Sequence, residues 1–381
     1  MCGFVGYVEK EDNNYLEPML KSIKYRGPDD MGTFKYEKEG SYVNLGHVRL
    51  SILDTSSLGH QPIISNCNDI IMVYNGEVYN FKDIQKDLIK LGYKFNSNSD
   101  TEVILYSYKE WGIKCVDKFI GMFAMSIYDK KKNKMFLIRD RAGIKPLYYF
   151  VKDDLFLFGS ELKTFHCHKR FEKKINKEVL GYFFQLGYIP TPWTVFENCF
   201  KLEPGSYLQY DLKNNQFEIK EYWNLLDSYN QETNDKSEKE ILDDLEELLI
   251  DSCNLRMVSD VPVGSLLSGG LDSSLLTVMM SKINNNKIDT FSASFDDKNY
   301  DENKFSQMIS NQIKSNHFNI VLKSEDYQNK LNDVISHTAA PLSIPHEIAL
   351  NALFQKISKH TKVVISGEGA DEIFGGYGRV Q

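Results

Sequence analysis

The sequence predicts two domains: a β-rich α+β domain, followed by an α/β domain built on a parallel sheet. In the first 200 residues, short apolar strands are interrupted by only a few helices, with strands predicted at residues 3–8, 70–74, 122–128 and 135–139. After residue 240, strands and helices alternate, and that pattern is typical of a parallel, doubly wound sheet. A chain of 381 residues is long enough for two domains, each with its own core.

Two helices are predicted between the strands of the first domain, because apolar residues recur there at helical spacing. These residues are Phe81, Ile84, Leu88 and Leu91 in one helix, and Ile104, Leu105, Tyr108 and Trp111 in the other. The second helix follows a start signal at Ser99 and Asp100. Residues 122–128 are almost wholly apolar, as expected for a strand that is covered on both faces. A mixed sheet with covering helices fits this pattern.

Residues 213–240 are predicted to link the two domains, which then span residues 2–212 and 241–381, because residues 227–238 are almost free of apolar side chains. At the end of this stretch, Ser237 and Glu240 form a capping-box pattern that opens a helix. Strands are predicted behind it at residues 261–267, 288–295, 318–322 and 363–365, separated by helical patterns at residues 276–283, 305–313 and 350–357. The last strand is apolar throughout, so it is predicted to be covered on both faces.

Composition excludes several classes of partner and environment. Lys and Arg total 45 against 53 Asp and Glu, a net charge of -8, so neither a nucleic acid nor an anionic membrane is an expected partner. The chain opens without a basic, apolar leader, and no apolar run is long enough to cross a membrane. Six cysteines are scattered without CxxC or zinc spacing. We therefore expect a cytoplasmic protein with reduced thiols.

Cys2 becomes the first residue if Met1 is removed. Its free α-amine, with an ordinary pKa of about 7.7–8, is then partly neutral near pH 7 and can take the proton of the thiol. Nucleophile and base would thus reside in one residue, as in enzymes with an N-terminal threonine. A cysteine at position 2 is by itself weak evidence for catalysis, and the motifs that follow it strengthen that interpretation.

Five motifs follow Met-Cys-Gly in a fixed order: residues 26–30 (RGPDD), 46–52 (GHVRLSI), 74–80 (YNGEVYN), 99–102 (SDTE) and 139–146 (RDRAGIKP). Together they resemble the class II glutamine amidotransferases. The resemblance covers roughly the first 210 residues and implies the N-terminal-nucleophile hydrolase fold, an αββα sandwich.

The resemblance also implies a glutaminase site. Cys2 would attack the side-chain amide of glutamine, and the side chain of Asn75 with the backbone N–H of Gly76 would stabilise the oxyanion that forms. Arg49 offers a planar fork to the α-carboxylate of glutamine, while Asp100 and Glu77 accept from its α-ammonium. The full set predicted to bind glutamine is Arg49, Ile52, Asn75, Gly76, Glu77 and Asp100.

The second domain carries the string SGGLDSS at residues 268–274, between a predicted strand and a predicted helix. A glycine-rich turn onto a helix N-terminus exposes backbone N–H groups to an anion. The string resembles the pyrophosphate loop of the ATP pyrophosphatases, which cleave ATP between the α and β phosphates. No Gly-Lys-Ser/Thr follows, so it is not a Walker loop.

A further motif, SGEGADEIFGGY at residues 366–377, again follows a predicted parallel strand, and ligands bind open α/β sheets at such strand ends. The two motifs in this order resemble the synthetase domain of asparagine synthetases. The resemblance implies that Asp272 and Asp371 hold Mg²⁺, and that Glu368 orients the ammonia nucleophile or acts as its base. The set predicted to bind ATP is Leu267, Ser268, Gly269, Gly270, Asp272, Ser273, Ala293, Ser366 and Gly367.

Joined, the halves imply glutamine-dependent asparagine synthesis from glutamine, aspartate and ATP. Residues 341–345 (PLSIP) stand where many relatives read Asp-Pro-Ser-x-x-Pro. Another carboxylate, in a sugar acid or a peptide, therefore remains an alternative acceptor. A chain that acts only as a glutaminase is a second alternative, and a homodimer stays open. Only four residues follow Tyr377, so we expect the synthetase domain to be C-terminally incomplete and weakly active or inactive.

Overall fold

The structure, a computed structural model, describes residues 1–229, 236–284, 287–295, 303–342 and 346–377. The chain forms two compact units, the first of Met1–Gln231 with Ile335–Ile344 and the second of Glu232–Val334 with Pro345–Gln381. Each unit has its own sheets and its own hydrophobic clusters. None of the described helices is both long and apolar enough to span a bilayer.

Two antiparallel six-stranded sheets form the first unit. The first sheet contains β1 (Gly3–Glu9), β2 (Asp30–Lys38), β3 (Ser41–Arg49), β8 (Tyr148–Lys152), β9 (Leu155–Gly159) and β10 (Cys199–Lys201), in the order β10-β8-β9-β1-β3-β2. The second contains β4 (Ile63–Ile64), β5 (Ile70–Val78), β6 (Gly121–Asp129), β7 (Lys134–Arg139), β11 (Ser206–Asp211) and β12 (Gln216–Glu221), in the order β12-β11-β7-β6-β5-β4. The four strands predicted here are confirmed.

The main core lies between these two sheets. Phe4 and Leu45 from the first sheet meet Ile71 and Leu137 from the second in one fully buried cluster. On the outer face of the first sheet, α1 (Leu16–Ser22) packs in a separate cluster. On the outer face of the second sheet lie α2 (Phe81–Lys90) and α3 (Asp100–Trp111), both at predicted positions. The layers are therefore helix, sheet, sheet and helix, which confirms the αββα sandwich. The unit also contains α4 (Lys177–Leu186) and α5 (Leu225–Tyr229).

We predict that aromatic stacking between the two sheets of the sandwich contributes to the stability of this unit. Phe156 of β9 stacks on Tyr210 of β11 with ring centroids 4.3 Å apart, and both rings are fully buried. Phe156→Ala should lower the free energy of unfolding of this unit by about 3–5 kcal/mol, because the cavity cannot collapse between two sheets. All three tryptophans lie in this unit, so their fluorescence during chemical denaturation reports its unfolding. Phe184→Ala, at a ring that is 81% exposed, should change stability by less than about 0.5 kcal/mol. Equal effects of the two changes would contradict the prediction.

A parallel four-stranded sheet forms the centre of the second unit, with the order β15-β14-β13-β16. Its strands are β13 (Val263–Leu266), β14 (Asp289–Phe295), β15 (Asn316–Leu322) and β16 (Val363–Ile365), and its helices are α6 (Glu238–Arg256), α7 (Leu271–Ile283), α8 (Asn303–Ile313), α9 (Ser324–Thr338), α10 (His346–Ile357) and α11 (Ala370–Phe374). The capping box at Ser237 and Glu240 is present at the start of α6. The predicted parallel α/β domain is confirmed.

Two expectations need correction. The first part of the predicted linker 213–240 is strand β12, which pairs with β11. Its sequence does alternate, with Phe217 and Ile219 between polar residues, but all six side chains are exposed, and the polar residues on both sides led to its prediction as part of a linker. The last strand, β16, is only partly buried at each residue, whereas its apolar sequence had predicted cover on both faces. It pairs with β13 alone among the described strands and stands last in the sheet order.

Candidate active site

Cys2 lies directly before β1, and its thiol faces Leu50, the residue that follows the neighbouring strand β3. The thiol donates to the carbonyl of Leu50 at 3.5 Å, and the backbone N–H of Leu50 donates to the sulfur at 3.3 Å. Burial raises the pKa of the Cys2 thiol, and the Leu50 N–H only partly opposes that effect. The thiol therefore needs a base to become a nucleophile near neutral pH.

The surroundings of the chain start disfavour an ammonium. Burial, together with the cations Arg26 and Lys145, lowers the pKa of the Met1 α-ammonium to about 6. Arg26 fixes the backbone here, since its Nε donates to the carbonyl of Cys2 at 3.0 Å and its Nη1 lies 2.6 Å from Glu161. Arg26 lies in the RGPDD motif, and the sequence alone predicted no role for it. The only available signal was its place in that motif.

The predicted oxyanion donors lie on β5. The side chain of Asn75 is 1% exposed, and its Nδ2 has no acceptor among the described residues. A Cβ at the next residue, Gly76, would come within 2.2 Å of the Met122 carbonyl oxygen, so only glycine allows β5 and β6 to approach this closely. A buried amide without an acceptor is costly unless a ligand supplies one. The oxyanion of an amide hydrolysis is such a ligand.

A contact across the sandwich aligns β5 with the strand that carries Arg49. His47 of β3 lies with Nε2 3.0 Å from the carbonyl oxygen of Tyr74. Burial lowers the pKa of His47 to about 3, so the imidazole is neutral and must carry its proton on Nε2 to donate to that carbonyl. Because His47 and Tyr74 are close in sequence to Arg49 and Asn75, this bond fixes the two halves of the predicted glutamine site relative to each other.

Removal of the Asn75 amide gives a direct test. Asn75→Ala should lower kcat for glutamine hydrolysis by about 100-fold or more, because one preorganised oxyanion donor is lost. KM should change much less, since the donor acts mainly in the transition state. Glutamate release measures both constants. Asn80→Ala is a suitable control, because the Asn80 side chain bonds the backbone of Lys118 and Ile120 instead. A change confined to KM would contradict the oxyanion role.

Two buried carboxylates form the next part of the site. Asp100, in the first turn of α3, accepts from the Tyr74 hydroxyl at 2.9 Å and from the Val78 N–H at 3.0 Å. Burial raises the pKa of Asp100. Burial, with repulsion from Asp100, raises the pKa of Glu77 to about 7. Two desolvated carboxylates in electrostatic contact favour a cationic ligand. The α-ammonium of an amino acid is a cation of this kind.

Arg49 is buried and mainly holds the loop that follows β3. Its guanidinium donates to the backbone carbonyls of Ser56 at 2.8 Å, of Leu53 at 3.2 Å, and of Asp54. A Cβ on Gly59 would lie only 1.8 Å from Nη2, so the loop fits closely around this side chain. Ile52 lies in the same loop and is partly buried. The structure thus shows a loop-holding role for Arg49, and its role toward a substrate carboxylate stays a prediction.

In the second unit, the SGGLDSS loop turns directly from β13 onto the N-terminus of α7. Ser268 Oγ accepts from the Gly270 N–H at 3.2 Å and lies 2.9 Å from Ser273 Oγ. Gly269 has φ +92°, and a Cβ there would lie 2.6 Å from Phe305 Cβ, so both backbone conformation and space require glycine. This tight loop leaves the α7 N-terminus facing the strand ends, as an anion site requires.

The second motif comes to the same place. A Cβ on Gly367 would lie 3.0 Å from the Ser273 nitrogen and 3.1 Å from Asp272 Cβ, so the loop after β16 touches the start of α7. The Leu267 N–H donates to the Phe291 carbonyl at 2.8 Å, which places Leu267 beside the strand that carries Ala293. Glu368 is exposed, and Ser366 is partly buried beside it. Residues 343–345 of the PLSIP segment lie outside the described residues.

Asp272 lies in the first turn of α7 and Asp371 in the first turn of α11. Within the described ranges, no group of three or more His, Cys, Asp and Glu side chains could hold a metal ion by itself. Two carboxylates at the starts of helices that follow the paired strands β13 and β16 nevertheless suit Mg²⁺, which commonly takes one or two protein carboxylates and completes its shell with phosphate oxygens and water. The residues present therefore fit a magnesium ion that arrives with a nucleotide.

The chain matches a glutamine amidotransferase domain over residues 1–223 and an asparagine synthase domain over residues 244–381. The class of protein is thus a glutamine amidotransferase joined to an ATP-using ligase domain. It is 38% identical to the protein of Methanocaldococcus jannaschii named "Putative asparagine synthetase [glutamine-hydrolyzing] 2", over 99% of this chain and 76% of that protein. Asparagine synthetase (glutamine-hydrolysing) 1 of Bacillus subtilis is 35% identical over 99% of this chain and 59% of that protein. The chain belongs to the family of glutamine-hydrolysing asparagine synthetases.

Among solved structures, the glutamine phosphoribosylpyrophosphate amidotransferase of B. subtilis aligns with 85% of this chain and 91% of that chain. The TM-score is 0.46 at 14% identity, too low to support an argument about function. The assignment to the family therefore depends on the sequence matches, and the assignment of the fold depends on the observed sheets.

Proposed function

We propose that the chain catalyses glutamine-dependent synthesis of asparagine from aspartate and ATP. The observation that carries this proposal is the buried side-chain amide of Asn75, which has no acceptor among the described residues. It lies on the strand that also carries Glu77, whose carboxylate favours a cationic ligand. Together they suit glutamine, which presents an ammonium at one end and a reacting amide at the other.

In the glutaminase reaction, removal of Met1 leaves the free α-amine on Cys2. That amine takes the thiol proton, and the sulfur attacks the side-chain carbonyl carbon of glutamine. Asn75 and the N–H of Gly76 stabilise the oxyanion, the C–N bond breaks, and ammonia leaves with the proton that the amine returns. Water then hydrolyses the thioester through a second oxyanion and releases glutamate. Glu77 and Asp100 hold the ammonium of glutamine throughout.

In the synthetase reaction, the SGGLDSS loop and the α7 N-terminus bind the phosphates of ATP. Asp272 and Asp371 would hold Mg²⁺, which when bound neutralises charge on the leaving pyrophosphate. The aspartate carboxylate attacks the α-phosphorus, and pyrophosphate leaves. Ammonia then attacks the acyl carbon, Glu368 takes a proton, and AMP departs as asparagine forms. Leu267, Ala293 and the backbone of Ser366 and Gly367 would frame the nucleoside.

The names of the relatives favour aspartate over a sugar acid or a peptide as the acceptor. They do not establish it for this chain, which spans only part of the length of each. All six cysteines are free thiols, which supports the cytoplasm as the location. A homodimer remains a proposal without a surface assigned to it.

The decisive assay mixes the protein with glutamine, ATP, Mg²⁺ and aspartate. We expect asparagine, AMP and pyrophosphate in equal amounts, with glutamate formed as ammonia is supplied. Replacing aspartate by a sugar acid or a peptide carboxylate tests the alternative acceptors. Glutamate without AMP would favour the glutaminase-only alternative. Loss of AMP formation on omitting Mg²⁺ would support the metal assignment.

A further inference from the structure

Lys145 lies at the end of a loop that the structure holds rigidly. Asp140 accepts from the backbone N–H groups of Phe123 at 3.1 Å, Lys145 at 3.0 Å and Ile144 at 2.9 Å. Arg139 donates from Nε to the carbonyl of Lys145 at 3.0 Å. Hydrogen bonds therefore fix both the N–H and the carbonyl of Lys145, so the position of its Cα is well defined.

The ammonium of Lys145 is directed at the first residue of the chain. Lys145 is 5% exposed, and its Nζ donates to the thioether sulfur of Met1 at 3.1 Å. A thioether is a weak acceptor, and a buried ammonium costs free energy unless it is well paired. Removal of Met1 takes even this partner away. After that removal, the charges of Glu77 and Asp140 still act on this ammonium.

We propose that Lys145 is a positioning residue of the glutaminase, whose charge keeps the Cys2 α-amine neutral and Glu77 ionised once Met1 has been removed. This inference rests on the proposed glutamine hydrolysis. Glu77 and Cys2 are both near enough to interact with the Lys145 charge, and both oppose the lowering of its pKa by burial. A cation beside an amine disfavours the ammonium form, and a cation beside a carboxylate favours the ionised form. Both effects produce the active protonation state.

The other charges around these groups come from several elements. The α-ammonium of the chain start is near the charges of Arg26 and Asp29. The Cys2 thiol is near those of Arg49 and Asp100. The Lys145 ammonium is near those of Arg26 and Asp140. None of these is altered when Lys145 is replaced. Loss of the Lys145 charge should raise the pKa of the amine and the pKa of Glu77 together. The acid limb of the glutaminase profile should therefore move to higher pH.

The test compares Lys145→Met, Lys145→Gln and Lys145→Arg in the processed, full-length chain. For the two neutral variants we expect kcat/KM for glutamine to fall at pH 6.5 by up to about tenfold, the largest loss that a shift of one pKa unit can cause, and to recover to within about twofold at pH 9. Lys145→Arg should restore the profile. Lys132→Met is the matched control, since the Lys132 ammonium pairs with Asp129 at 3.1 Å. An equal loss at every pH would overturn the proposal.

A second readout needs no glutamine. The pH dependence of Cys2 alkylation by iodoacetamide, followed by intact mass, should move to higher pH in the neutral variants, because loss of a nearby cation raises the pKa of the thiol. An unchanged alkylation profile in a folded variant would overturn the role of Lys145. If the alkylation profile shifts but the chain does not hydrolyse glutamine, the electrostatic role of Lys145 stands and the proposed function is rejected. Circular dichroism establishes whether each variant is folded. If the neutral variants unfold, the pH profiles of Lys145→Arg and of the unaltered chain are compared instead.

Discussion

Cys2→Ala should abolish glutamine hydrolysis, with a loss of about four orders of magnitude or more, because the nucleophile is removed. The fold should survive, since the hydrogen bonds of the thiol within the described part of the chain are two weak ones, both with the backbone of Leu50. Any ammonia-dependent formation of AMP should continue, because adenylation uses the residues around β13. Glutamate release and AMP release, measured on one preparation, separate the two effects.

The matched control is Cys67→Ala, which removes an exposed thiol of the same unit and should leave glutamine hydrolysis unchanged. Intact mass of the active protein should lack Met1, since an acylated nitrogen on Cys2 could not act as the base. Retained glutaminase activity in Cys2→Ala would reject the nucleophile. Full activity in protein that keeps Met1 would reject the α-amine as base.

Asp272→Asn should lower aspartate-dependent release of pyrophosphate by about 100-fold or more, because a Mg²⁺ ligand that stabilises the leaving phosphates is lost. The change is nearly isosteric, and Asp272 lies at a helix start where asparagine is tolerated. Glutaminase turnover should be unaffected. Calorimetric titration with ATP, with and without Mg²⁺, gives a readout that does not depend on turnover: the gain in ATP affinity from Mg²⁺ should disappear.

Asp243→Asn, at an exposed position of α6 in the same unit, is the control for the loss of one negative charge. It should leave the Mg²⁺-dependent gain intact. Normal pyrophosphate release in Asp272→Asn, together with an unchanged Mg²⁺ effect, would assign the metal to other residues. Asp371→Asn should behave like Asp272→Asn if the two carboxylates share one ion.

Much of the site was accessible from the sequence, because its chemistry is concentrated in short segments. The loop at residues 268–274 follows β13 and turns onto α7, and the loop at residues 366–377 follows β16, as predicted. Strand β6 and helix α3 were also predicted, since an apolar run and a helical repeat are local signals. In these places the physical cause of the structure lies within about a dozen consecutive residues.

The sequence by itself determined the class of the two folds, the family and the identity of the candidate nucleophile. Only the tertiary structure decided which side chains act together. Asp100 bonds the strand that carries Glu77 because α3 packs on β5, and Lys145 reaches Met1 because Asp140 and Arg139 hold its loop. The environment of the buried Asn75 Nδ2, which has no acceptor among the described residues, is likewise set by packing between elements. The periodicity of apolar residues indicates which face of a helix or strand is buried. Which elements pack against each other depends on the whole core, and no single segment of the sequence determines it.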